Sequence, residues 1–127
     1  MAEDYEGAAA RHYTDALELK AQGRRDNAGH LVGFAAECAI KHQIQSLQPA
    51  AASPHVHLPD LLAAARKKFA ARGTQLSMYQ LVKDDHFKTW NVNRRYWSTG
   101  STSEDELDHW FTMARRLLGA AGIKGSA

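Results

Sequence analysis

Two charged residues set in an otherwise apolar run are the first chemical feature of the chain. His30 to Leu47 reads HLVGFAAECAIKHQIQSL, and Glu37 and Lys41 stand four residues apart within it. That spacing is one helical turn, so their side chains can meet as an ion pair. A charge beside a core must be paired or solvated in a cleft. Two uses follow: a structural pair that holds the core in register, or a cleft-lining pair that contacts phosphate or ribose. A second group is Arg94, Arg95 and Tyr96 with Trp90 and Trp97. Cations interleaved with aromatic faces can grip phosphates and stack bases. The competing use buries the tryptophans in the core and pairs the arginines with Asp84, Asp85 or Glu37. A third group is Arg25 and His30. A histidine near its ordinary pKa can take a hydroxyl proton or protonate a leaving oxygen, and an arginine fork can stabilise charge building on a phosphate. The plainer reading leaves Arg25 and Asp26 in a solvated turn, with His30 covering the start of a helix.

The remaining reactive side chains point to less. His55 and His57 form a His-x-His pair among seven histidines, but no cysteine accompanies them and no His-Glu-x-x-His pattern exists. No metal is expected, and His57 is read as capping or packing a third helix. Cys38 lies inside the apolar run, where a reactive thiolate is not expected. There is no glycine-rich phosphate loop and no Gly-x-Ser-x-Gly elbow, so no cofactor is expected.

The elements that must carry these residues read as helices throughout. The run from His30 to Leu47 is apolar nearly all round, which belongs at the centre of a bundle. Gly33 within it would let another helix approach. Before it, about Ala8 to Gln22 carries Ala9, Tyr13, Ala16 and Leu17 in helical rhythm and stops at Gly23. The turn GRRDN follows, with Asp26 or Asn27 to cap the central helix, so the first two helices form an antiparallel hairpin. QPAAASPHVH is a loop. Pro59 suits the first turn of a third helix through LLAAARKKFAAR to Gly73, and a further piece is expected over about Gln75 to Lys83. Asp84 to Gly100 reads as irregular or short-helical. Ser103 and Glu106 form a capping box, after which Leu107, Trp110, Phe111, Ala114, Leu117, Leu118 and Ala121 make one apolar stripe. The expected fold is all-α, an up-and-down bundle of four to five helices in one domain over residues 1–127, with 1–7 and 122–127 frayed.

Composition sets outer bounds. At 127 residues the chain can build one core without staples. It is 44% hydrophobic and 24% charged, carries a formal charge of +2 and has one cysteine. A disulfide scaffold is therefore excluded, and a reducing cytoplasm is the default location. MAEDYEG is acidic and lacks the apolar run of a signal peptide, and no stretch has the length of a membrane span. The charge is patterned: Arg24-Arg25, Arg66-Lys67-Lys68, Arg94-Arg95 and Arg115-Arg116 are basic, while acids gather at 3–6, 84–85 and 104–108. Such clustering either gives a local positive field or marks solvated helix faces.

Taken in order, GFAAECAIK in the second helix, His57, Leu58, Leu61 and Leu62 at the start of the third, and Arg95-Tyr96 before the last resemble the HEPN superfamily. The second-helix pattern corresponds here to Ala35, Ala36, Glu37, Ala39 and Lys41, and the resemblance spans roughly residues 8 to 121. It implies a bundle of four or five helices, often a homodimer. It also implies an RNA- or nucleotide-associated role: a metal-independent ribonuclease of a toxin–antitoxin or phage-defence system, or a non-catalytic module. The latter would partner a nucleotidyltransferase or antitoxin, or sense a nucleotide. Catalytic members carry an arginine followed within a few residues by a histidine, late in the bundle. Here Arg95 is followed by no histidine before His109, and the run with suitable spacing, Arg25 to His30, opens the second helix. On this resemblance Arg95, Arg25 and His30 are the catalytic candidates. Glu37, Lys41, Arg94, Tyr96 and His57 are the binding candidates, and His57 is an alternative carrier of the proton.

Overall fold

The computed structural model describes residues 3–47, 56–73 and 76–123. Over these residues it is a bundle of five α-helices with one 3-10 turn: α1 Tyr5–Ala21, α2 Arg25–Leu47, α3 Asp60–Ala70, α4 Ser77–Val82, the turn Val92–Tyr96, and α5 Glu104–Ala120. No strand occurs among the described residues. No helix among them is long and apolar enough to cross a membrane.

α1 begins earlier than its hydrophobic rhythm suggests, because the Asp4 side chain accepts a hydrogen bond from the Gly7 amide at 2.9 Å and supplies the missing cap. Residues 5–7, expected to fray, are therefore helical. At the other end, Gly23 takes φ +76° and the Arg24 amide donates back to the Leu19 carbonyl at 2.9 Å, turning the chain at once into α2. The α1–α2 packing is the most extensive in the molecule. The two helices bury many small residues, among them Ala9 and Ala16 of α1 and Ala28, Ala35, Ala36 and Ala39 of α2, and small side chains let two backbones approach closely.

α2 starts at Arg25, ahead of the start expected after a cap at Asp26 or Asn27, and Asp26 is not its cap. The Asp26 carboxylate instead accepts from the Gly100 amide at 2.7 Å and the Thr102 amide at 3.0 Å, tying the loop before α5 to the base of α2. Gly33 does not admit another helix. It seats an indole: a Cβ there would stand 1.9 Å from Trp90 Nε1, and that nitrogen donates to the Gly29 carbonyl at 2.9 Å. Gly29 likewise faces the ring of Trp110 on α5.

α5 buries Leu107, Trp110, Phe111, Ala114, Leu117, Leu118 and Ala121, the whole stripe read from its period. Half of the expected capping box forms. Ser103 Oγ accepts from the Glu106 amide at 3.1 Å, but the Glu106 carboxylate turns to Arg94 and Thr89. Beyond α5, Ile123 is buried and its amide donates to the Leu118 carbonyl at 3.0 Å. Residues 122 and 123, expected to fray, are therefore held against the bundle, and 124–127 lie outside the described residues. Pro59 precedes α3, after a cis Leu58–Pro59 bond. Arg66 on α3 donates to the Val82 carbonyl of α4 at 2.7 Å and pairs with Asp85. Most of the loop expected over 48–57, with His55, lies outside the described residues.

Candidate functional site

His30, Phe34, Glu37 and Lys41 follow one another at three- and four-residue steps along α2, so they share a stripe. Phe34 is the hub. His30 meets it edge-on with centroids 4.7 Å apart, Trp90 edge-on at 5.5 Å, His57 edge-on at 6.3 Å, and His12 of α1 at 5.8 Å. Trp90 also stacks on His30, at 5.7 Å and 17°. Three histidines from three parts of the chain thus surround one phenylalanine. The step from His30 to Phe34 is visible in the sequence. His12 carries no such signal, because nothing in α1 marks it as facing this stripe.

Glu37 is buried, at 4% exposure. Its carboxylate accepts from Lys41 Nζ at 3.3 Å, from the Leu58 amide at 3.1 Å, and from His57 Nδ1 at 3.0 and 3.1 Å. Lys41 supplies the compensating charge a buried carboxylate needs, and the other donors satisfy its remaining lone pairs. The expected Glu37–Lys41 pair exists, and it also fastens the segment that leads into α3. Donation to a carboxylate requires the proton on Nδ1 of His57. That leaves Nε2 as the second nitrogen of a side chain that is 50% exposed.

The other two histidines are held towards their neutral form. Burial lowers the pKa of His30, and the charges of Arg95 and His12 add to the effect. Burial likewise lowers His12, assisted by Arg11 and opposed by Asp15 and Glu37. Nδ1 of His30 is buried and makes no hydrogen bond. Beside them the Cys38 thiol is pushed up to about 11, by burial first and by the Glu37 carboxylate second, which removes it as a nucleophile near neutrality.

Arg94 and Arg95 diverge because successive residues of a 3-10 turn point about 120° apart. Arg94 reaches inward: its two terminal nitrogens donate to Glu106 at 3.0 and 3.3 Å, with the guanidinium 4.6 Å from the Trp97 ring and 4.9 Å from that of Trp110. Offered by the sequence as a binding residue, Arg94 is engaged in holding the turn to α5. Its partner is none of Asp84, Asp85 and Glu37. Arg95 points outward, 4.8 Å over the ring of Tyr96. Tyr96 is 77% exposed and Trp97 50%, whereas Trp90 is buried in the core.

The residues therefore sort into two places. His30, Glu37, Lys41 and His57 lie along one stripe, and Arg95 is close enough to His30 for its charge to be felt there. The carboxylate of Glu37 is held by Lys41, His57 and Leu58, so Arg95 joins the neighbourhood through His30. Arg25 is elsewhere. It is exposed and lines a cleft with Lys20, Gly23, Glu104, Leu107 and Asp108 at the α1–α2 turn. Five helical residues set it about 140° around α2 from His30, so the two do not form one site within a chain. Among the described residues no group of three or more His, Cys, Asp or Glu side chains is arranged to hold a metal ion. No protein-family model matches the chain, and comparison with curated proteins and with solved structures likewise finds no match.

Proposed function

We propose that this chain is a HEPN-like module that binds RNA through the surface running from the Arg95–Tyr96 pair to the histidines around Phe34. The observation that carries this reading is the outward pairing of Arg95 with Tyr96, beside a half-exposed Trp97. Exposed aromatic rings next to an unburied cation give single-stranded bases faces to stack on and phosphates a charge to meet. The charge of Arg95 reaches His30 and that of Arg11 reaches His12, where Asp15 and Glu37 oppose it. The order of motifs in α2, α3 and the turn supports a HEPN-like assignment, for which a homodimer in the cytoplasm is the expected state.

Fluorescence anisotropy with labelled single-stranded RNA tests the reading. Wild type is expected to bind with affinity falling as salt rises. Tyr96→Ala and Arg95→Ala should each weaken binding by roughly tenfold, at the lower end of the stacking range. Binding by both variants at the wild-type affinity, or none by wild type, overturns it.

A further inference from the structure

We propose that His86 and His109 form a two-histidine site for a transition-metal dication, with Zn²⁺ as the ion their geometry fits. His86 lies in the irregular segment after α4, and His109 lies on α5. Although 23 residues apart in the chain, they bring Nδ1 of His86 to 3.3 Å from Nε2 of His109, with ring centroids 5.2 Å apart. A straight N–H···N hydrogen bond of that length would set the ring centres roughly 5.6 Å apart, and the length itself exceeds the ordinary range for such bonds. Two imidazoles sharing a tetrahedral ion, at about 2.05 Å from each nitrogen, would hold their nitrogens roughly 3.3 Å and their ring centres roughly 5.2 Å apart. The observed pair matches the second arrangement.

The neighbouring contacts hold the two rings in place. Thr89 Oγ1 donates to the Glu106 carboxylate at 2.7 Å. Thr89 follows His86 by three residues and Glu106 precedes His109 by three, so the two contacts are successive rungs between the segment and α5, which run in opposite directions. Arg94 adds a further tie to Glu106 at 3.0 Å. The backbone under both histidines is thus ordered before an ion arrives, which lowers the cost of binding. His86 is half-buried and His109 exposed, so water can complete the coordination. With two protein ligands the site is open, and weaker than one built from three or four. Imidazole nitrogens suit zinc, copper and nickel, whereas magnesium and calcium seek oxygen. The surrounding charge is mixed: Asp84 and Asp85 favour a cation beside His86 and Arg116 opposes it, while Asp85 is itself paired with Arg66. An ion held here would staple the segment that leads to the Arg95–Tyr96 turn onto α5.

Calorimetric titration of the full chain with zinc chloride, in chelator-free buffer just above neutral pH, tests the site. Wild type is expected to bind zinc. His86→Gln and His109→Gln should each weaken that binding at least about tenfold, because loss of an outer-sphere partner alone costs that much. His42→Gln, which removes a histidine elsewhere, should bind as wild type does, and magnesium should not compete. Without metal the two site variants should melt as wild type does, whereas zinc should raise the wild-type melting temperature more than theirs. Ring-nitrogen NMR supplies a second readout: zinc should shift Nδ1 of His86 and Nε2 of His109 together. Wild type that binds no zinc, site variants that bind it as tightly as wild type, or ring shifts confined to other histidines overturn the proposal.

Discussion

The indole of Trp90 occupies the place where a side chain on Gly33 would stand, and its N–H closes on the Gly29 carbonyl at 2.9 Å. Gly33→Ala should gain some helix propensity and lose far more by collision with an aromatic ring that is itself fully buried. A net destabilisation of about 1–3 kcal/mol is expected, read from the urea midpoint at unchanged m-value. A variant as stable as wild type would show that the seat is not needed.

Arg94 and Arg95 should separate cleanly. Arg94→Ala removes a two-pronged ion pair with Glu106 and a cation held between two indoles, so it should cost about 1–3 kcal/mol in denaturant unfolding. Arg95→Ala touches an exposed pair and should stay within about 0.5 kcal/mol of wild type. Its effect should fall on RNA binding, where the slope of log affinity against log salt should shrink by about 0.7, the amount for a single phosphate that is no longer neutralised. Equal stability losses in the two variants would contradict the division of roles.

Acid should weaken the fold through the histidines around Phe34. His12 and His30 have folded pKa values below the ordinary histidine value of 6.5, so the unfolded chain binds more protons than the native one as pH drops past that value. Their contribution is complete above about 6.5 and is lost as pH falls towards the lowered folded values. His30→Phe should flatten this part of the stability–pH curve. An unchanged slope between wild type and variant would sink the assignment.

At lower pH a different residue takes over. Burial opposes the charge of Asp26, but hydrogen bonds from Gly100, Thr102 and Ser101 outweigh it and hold the carboxyl below its usual value of 3.8. Its contribution is therefore present above that value and fades as pH falls through the lowered one. Asp26→Asn should remove this acid-limb dependence and loosen the loop at 99–102, measurable as faster amide exchange at Gly100 and Thr102.

What could be read from the sequence follows the range of each interaction. The α5 stripe is legible because seven apolar residues repeat at the helical period. The α1–α2 hairpin is legible because Gly23 and a short turn leave little choice. Glu37 and Lys41 are legible as a pair for the same local reason. Contacts between distant residues are not. Glu106 looks like the second half of a capping box, since its spacing from Ser103 is local, whereas its bonds to Arg94 and Thr89 depend on how the 84–97 segment crosses α5. Asp26 looks like a cap and holds a loop more than seventy residues on. His57 and Glu37 each stand out as binding residues, but their union rests on where the chain re-enters before α3. Spacing along the chain carries no trace of that.

Cys38 adds a practical consequence. With its thiol held near 11 and no other cysteine in the chain, alkylation at neutral pH is slow in the native bundle and rapid once the central helix is bared. The protein thus contains its own reporter of opening. Cys38 is partly buried against the core, so the rate at which iodoacetamide consumes that single sulfur is expected to rise as α2 loosens, without any label being introduced.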